Sequence, residues 1–177
     1  MPPLEMIEAH SADAVRYWAG STGPGRDAVI SEEKIQAGAK LVTKLWNVAR
    51  FADRFIEPRK TGRSDVALTV ADRWMLARLA RVVQASTVFL DDYDYATAKG
   101  EVETFFWRDL ADNYLEMAKV RLYGDEGADG AGARLVITRA LDIVVRLLAP
   151  FLPYVTEEIF QHLFADSPWQ RSVHRAS

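Results

Sequence analysis

SEEKIQAGAKLVTKLWNVARFADRFIE, residues Ser31 to Glu57, reads as one long helix. It has a single Gly, Gly38, no internal Pro, and Pro58 directly after it, the pattern of a helix that runs until a breaker stops it. Ser31 suits the N-cap, and Glu32 and Glu33 fall in the first turn, where the helix dipole favours negative charge. At about 100° per residue, Ile35, Val42, Leu45, Trp46, Ala49, Ala52 and Ile56 gather on one side as the expected core face. Lys40, Lys44, Asn47, Phe51 and Arg54 gather on the other, with Arg50 on its flank. A solvated face is normally polar throughout, and this one sets a Phe among cations. An amide, cations and an outward aromatic are the groups with which proteins hold unstacked bases. The same pattern also fits a helix buried on both sides, with Phe51 against a neighbouring helix, and both readings stand at this point.

At 177 residues and 49% hydrophobic, the chain can bury one sizeable core with appendages. There is no Cys, so disulfides, thiolate metal sites and a Cys nucleophile are excluded. His10, His162 and His174 are scattered without metal-ligand spacing. No metal and no cofactor is expected. No apolar run approaches the roughly 18 to 20 residues that span a membrane, and the N-terminus lacks a signal-peptide pattern; a cytoplasmic protein with no membrane partner is expected. The net charge of -3 argues mildly against sequence-blind nucleic-acid binding. Its distribution is uneven. Residues 31–60 carry seven Lys/Arg against four Asp/Glu, and residues 91–130 carry four against eleven. A local basic face on an acidic body suits selective docking.

Residues 1–9 have no room for a core of their own, and Ser11–Ala19 is expected as a short helix. GSTGPGRD, Gly20 to Asp27, is a loop, either a hinge or a plain connector. Pro58 to Leu68 is expected as a polar loop with Arg59, Lys60 and Arg63. TVAD, Thr69 to Asp72, is a capping box with Asp in place of Glu. The helix after it should turn Trp74, Leu76, Leu79, Val83 and Val88 inward and end before DDYDY, where Asp94 can cap the next helix.

That helix, about Tyr95 to Leu122, brings Phe105, Phe106, Trp107 and Tyr114 as bundle core. Its acids Glu101, Asp109, Asp112 and Glu116 recur at helical spacing without a His partner, so a solvated face or salt bridges to the basic helix are expected rather than a di-metal site. GDEGADGAG, Gly124 to Gly132, is the clearest break, and its glycines lack the Lys-Ser/Thr of a phosphate loop. Ala133–Ala149 follows as an apolar helix with an Asp142–Arg146 pair. Pro150 ends it, and Pro153 opens the last helix at a first-turn position. No stretch alternates as a sheet would. The fold expected is all-α, an antiparallel helix bundle.

Several stretches then resemble a known family. PLEMIEAHSADAVRYWA (Pro3–Ala19), TKLWNVARF (Thr43–Phe51), DRWMLARL (Asp72–Leu79), FFWRDLADNYLEMAK (Phe105–Lys119), LLAPFLPYVTEEIF (Leu147–Phe160) and SVHRA (Ser172–Ala176) are similar, in order and spacing, to class I aminoacyl-tRNA synthetases that charge branched aliphatic amino acids. The valyl enzymes are the nearest, mainly through KLWN at Lys44–Asn47; the isoleucyl enzymes are the alternative within the family. The resemblance implies a bundle of the anticodon-binding type over residues 28–166, preceded by a connecting segment over 1–27 that follows the KMSKS loop, with a C-terminal tail over 167–177.

The HIGH and KMSKS motifs and a βαβ pattern to hold them do not occur in this sequence. The resemblance therefore implies a fragment with no catalytic residues, which is not an enzyme on its own, whereas the resembled full-length protein is an ATP-dependent ligase. The implied partners are a tRNA, most nearly the valine acceptor, and the catalytic domain of the parent. By motif, Lys44, Asn47, Arg50 and Phe51 would meet the anticodon, with Arg16, Lys40 and Arg54 as candidates for the tRNA backbone. A free-standing helical module that binds protein instead of RNA is the reading from another class.

Overall fold

The computed structural model describes residues 3–56, 66–124, 128–165 and 172–175. The expected loop cations Arg59, Lys60 and Arg63, and Glu57 at the end of the long helix, lie outside the described residues. The elements in order are α1 (Pro3–His10), α2 (Ala12–Ala19), α3 (Glu32–Ala52), α4 (Val70–Asp91), α5 (Tyr95–Thr104), a π-helical segment (Phe105–Tyr114), α6 (Leu115–Tyr123), α7 (Ala128–Leu148), α8 (Pro153–Leu163) and a 3₁₀ turn (Val173–Arg175). Among the described residues there is no strand, and no helix is long and apolar enough to cross a membrane.

Local chemistry sets most of the boundaries. Ser31 Oγ accepts from the Lys34 N–H at 3.3 Å, and Asp94 Oδ1 accepts from the Thr97 N–H at 3.2 Å. The capping box at Thr69 closes reciprocally: the Asp72 N–H donates to Thr69 Oγ1 at 3.3 Å, and the Thr69 N–H donates to Asp72 Oδ2 at 2.9 Å. Pro153 occupies the first turn of α8, as its missing N–H allows. The segment before α2 is more ordered than its composition suggests. It forms α1, and Met6 is buried with Ala14 and Ile35 in a satellite cluster. Helix α3 ends at Ala52, short of the expected Glu57, because the chain tightens there. The Phe55 N–H donates to Ala52 O at 2.8 Å, the i→i+3 bond that closes many helix ends.

The buried faces of α3 and α4 are rotated from the expected ones. In α3 the buried residues are Ile35, Gly38, Leu41, Leu45, Val48, Ala49 and Ala52. Val42 is only half-buried, and Trp46 is exposed. In α4 they are Asp72, Met75, Leu79, Val82 and Ser86, whereas Trp74 and Val88 lie outside. A large indole invites an inward assignment, yet Trp is rarely buried completely.

Phe105, Phe106, Tyr114 and Phe160 are among the largest fully buried side chains. Each contributes on the order of 1.5 to 3 kcal/mol by burial. They share one core with Leu41, Leu45, Met75 and the inward face of α7. The aromatic set of the expected 95–122 helix is therefore core, with Trp107 half-buried at its edge. The wide turn of the π segment changes which residues share a face. It turns Asp109 inward while Glu101, Asp112 and Glu116 stay exposed.

The expected break at Gly124–Gly132 is shorter than its composition suggests, because α7 already begins at Ala128. Gly130 and Gly132 therefore lie inside a helix, and they serve close packing instead of a turn. A Cβ on Gly132 would sit 2.7 Å from Ala67 O and 2.9 Å from Asp72 Oδ2. Gly38 plays the same part at the α2–α3 contact, where a Cβ would meet the Tyr17 side chain at 2.8 Å.

Asp72 is the centre of this packing. It is fully buried. Arg121 Nη1 donates to Oδ2 at 2.9 Å and Arg121 Nη2 to Oδ1 at 2.8 Å, and the Tyr114 hydroxyl also donates to Oδ1. Burial alone would raise the Asp72 pKa, but the hydrogen bonds from Arg121, Tyr114 and Thr69 lower it from 3.8 to about 2. A carboxylate with a depressed folded-state pKa stabilises the fold above its unfolded pKa and loses that contribution as pH falls. The stability of the chain should therefore drop as pH falls from about 4 to about 2. Urea titrations across that range should show a flatter pH dependence for Asp72→Asn than for the parent. At neutral pH, Asp72→Ala removes the buried carboxylate to which Arg121 and Tyr114 donate and should cost about 3 to 5 kcal/mol. Gly132→Ala should lower the melting temperature, since the carbonyl at 2.7 Å belongs to backbone; an unchanged melt would contradict the packing described.

Candidate nucleic-acid interface

Helix α3 carries its outward residues on a long continuous arc. Lys40, Asn47 and Arg50 are exposed on α3, and Arg54, expected on the same helix, is exposed in the turn that follows it. Lys44 and Phe51 sit at the border between this arc and the buried face, not opposite the core as the helical wheel suggests. The Lys44 side chain is 34% exposed, its Nζ is 3.1 Å from Asp112 Oδ1, and the same ammonium stands 5.2 Å from the centre of the Trp107 ring. Phe51 is half-buried against the core. Its ring centre lies 5.3 Å from that of Phe55 and 6.2 Å from that of Tyr123. The outward-aromatic reading and the buried-aromatic reading are thus each half right, since one edge of Phe51 packs and the residue remains partly accessible.

Arg16 is placed elsewhere. Its Nη2 donates to Pro150 O at 2.7 Å, across the turn between α7 and α8. The neighbouring Tyr17 is buried, and its hydroxyl donates to Glu103 at 2.9 Å. Burial and the Glu103 carboxylate raise its pKa. Lys99, itself buried, lies 3.4 Å above the Tyr17 ring and 3.4 Å from Glu103. Burial lowers the Lys99 pKa while Glu103 opposes that shift. This group ties α2 to α5. Trp18 is half-buried and donates from Nε1 to Val29 O at 3.1 Å.

Of the four acids expected either as a solvated face or as salt bridges to α3, Asp112 pairs with Lys44 of α3, and Glu101 and Glu116 are solvated. Asp109 instead accepts from Arg78 at 2.7 Å and from Arg108 at 2.9 Å. Burial opposes its charge, and the two guanidinium groups hold its pKa below the usual carboxylate range. Glu116 pairs with Lys119 at 2.7 Å. Among the described residues no group of His, Asp and Glu is arranged to hold a metal ion.

Phe55, Trp107 and Tyr123 complete the surroundings of Lys44 and Phe51, and sequence reasoning missed all three as members of this surface. Phe55 stands four residues after Phe51, a spacing that could have paired them. Tyr123 and Trp107 come from another part of the chain, and nothing in their local sequence points to α3. Chemically, the surface combines planar rings, one amide with paired donor and acceptor groups, and several cations beside a carboxylate. Rings of this kind can stack on a base face, the amide can read a base edge, and the guanidinium and ammonium groups can bind base or phosphate.

Residues 72–177 match the family described as the anticodon-binding domain of tRNA ligase. The valine–tRNA ligase of Wolbachia sp. subsp. Brugia malayi (strain TRS) is 41% identical over 97% of this chain, and that of Methanopyrus kandleri is 42% identical over 99% of it. The chain spans 20% of the length of each of these relatives. Among solved structures, the methionyl-tRNA synthetase of Mycobacterium tuberculosis bound by methionyl-adenylate superposes with a TM-score of 0.76 at 23% identity, over 97% of this chain and 35% of that one. The LeuRS–tRNA–LeuAMS ternary complex of Agrobacterium radiobacter K84 agnB2 does so with a TM-score of 0.73 at 19% identity, over 98% of this chain and 21% of that one. With helices alone among the described residues, an aromatic core shared by α3 to α8, and a family match over its C-terminal 106 residues, this chain belongs to the anticodon-binding domain family of tRNA ligases.

Proposed function

We propose that this bundle recognises a tRNA anticodon as the anticodon-binding part of a valine–tRNA ligase, with the valine acceptor tRNA as its partner. The observation that carries the reading is the α3 surface of a chain whose relatives are valine–tRNA ligases. It holds an exposed amide and exposed cations within about two helical turns of a partly accessible ring cluster. Asn47 reads a base edge, Phe51 offers a ring for stacking, and Lys44 and Arg50 serve base or phosphate. Lys40 and Arg54 flank them toward the tRNA backbone. Arg16 spends one N–H on Pro150 and keeps the others for a phosphate.

In this reading residues 1–27 connect the bundle to a catalytic domain, and residues 28–166 form the bundle itself. Met6 and Ala14 pack with Ile35 of α3 in a satellite cluster, and Tyr17 joins the main core, so the connecting segment is docked firmly on the bundle. Catalysis of ATP-dependent ligation belongs to the parent enzyme and is assigned to no residue of this chain. A cytoplasmic location goes with that role.

A titration of the chain with valine tRNA and with a tRNA of different anticodon tests this reading. Preferential binding of the valine tRNA is expected, whereas equal or absent binding would favour the protein-interaction module. Asn47→Ala should weaken the valine tRNA selectively and change stability by no more than about 0.5 kcal/mol, as expected for an exposed position. Lys44→Ala separates two roles. A phosphate contact should weaken all tRNAs alike and reduce the salt slope by about 1, and a base contact should weaken the valine tRNA selectively. Phe51→Ala should lower both affinity and thermal stability, because its ring is partly core.

A further inference from the structure

A second helical wall stands beside the α3 face. Lys44 meets Asp112 at 3.1 Å. Eleven residues further along each strand of the pairing, Phe55 meets Tyr123 with ring centres 5.2 Å apart, so the two segments run side by side in the same direction. Glu116, Lys119 and Tyr123 follow one another in α6 at spacings of three and four, which sets them along one side of that helix.

Tyr123 is 61% exposed, yet its ring is held from two directions. It is 86° to the Phe55 plane and 72° to the Phe51 plane. Edge-to-face contacts of this kind fix a ring's orientation, and the exposure leaves much of its remaining surface to solvent. Tyr93 and Tyr154 are also exposed, but the ring contacts among the described residues do not include them. A singly exposed aromatic is common; an exposed aromatic braced by two others is a prepared platform.

We propose that Tyr123 is a second base-stacking residue, so that single-stranded RNA lies between α3 and α6 with one base on Phe51 and another on Tyr123. This rests on the anticodon reading of the α3 surface. Charge fixes the polarity of the arrangement. Asp112 and Glu116 are paired with Lys44 and Lys119, so the α6 side offers phosphates little net positive charge, whereas Lys40, Arg50 and Arg54 attract them on the α3 side. The RNA backbone then follows α3, and the bases turn toward α6.

The test uses the full chain and a synthetic anticodon-arm hairpin of valine tRNA, carrying 2-aminopurine at each anticodon position in turn. Its fluorescence falls when the base stacks on an aromatic ring. Two positions should quench with the parent protein. Tyr123→Ala should abolish quenching at one of them and weaken binding about tenfold or more, while Tyr123→Phe should keep both. Phe51→Ala should abolish quenching at the other position. Should Tyr123→Ala fail to fold, Tyr123→Leu fills the space against the two Phe rings without offering an aromatic face, and the same loss is expected. If quenching and affinity survive removal of the Tyr123 ring but not of Phe51, Tyr123 is no platform and the anticodon reading stands. If the parent neither binds nor quenches the hairpin, both fall.

Discussion

Asp72 is the point at which four parts of the chain meet. Its backbone and carboxylate close the N-terminal cap of α4 with Thr69. Its carboxylate receives Arg121 from α6 and Tyr114 from the end of the π segment. It stands so close to α7 that only a glycine fits at position 132. A buried ion pair of this kind is worth little compared with an apolar replacement, but it is costly to break from one side. Its consequence is registry. The cap, the π segment, α6 and α7 can meet here in one arrangement only, because each oxygen of the carboxylate is already committed.

That registry reaches the proposed interface through the helix that carries both features. Tyr114 and Arg121 face Asp72, while Asp112 and Tyr123, each two residues away along the chain, face Lys44 and the Phe51–Phe55 pair. The inward contacts thus set the height and rotation of the outward ones. Within the same surface, Phe51 serves two purposes. Part of its ring closes the core and the rest is accessible, so its position is held by packing before any ligand arrives. A ring held in this way loses less freedom on binding than a fully exposed side chain.

The all-α class, the order of the helices and most caps were legible in the sequence, because they rest on local chemistry. Ser31, Thr69, Asp94 and Pro153 act at the positions their side chains suggest. The helical faces were less legible. A wheel fitted to apolar residues placed Trp46 and Trp74 inward, whereas the buried positions are taken by the smaller Leu41, Val48, Met75 and Val82. The π segment was invisible, since FFWRDLADNY has the composition of an ordinary amphipathic helix, and its wide turn is what carries Asp109 away from α3. The glycines of Gly124–Gly132 were read as a break because glycine has two uses, and composition does not distinguish a turn from close helix packing. The α3 residues of the proposed site were read from one helix alone. Asp112 was expected to pair with that helix, but Tyr123 and Trp107 join only through tertiary contact.

In the proposed function, one flank of the bundle, α3 together with the facing sides of the π segment and α6, meets the anticodon. Amide hydrogen exchange on the chain with and without the valine-tRNA anticodon arm tests it most directly, because it reports the whole backbone without choosing residues in advance. Slowed exchange should concentrate in segments 40–55 and 112–123, with α1 and α8 unchanged. Protection centred on α1 and α2, or none at RNA concentrations that saturate binding, would contradict the account.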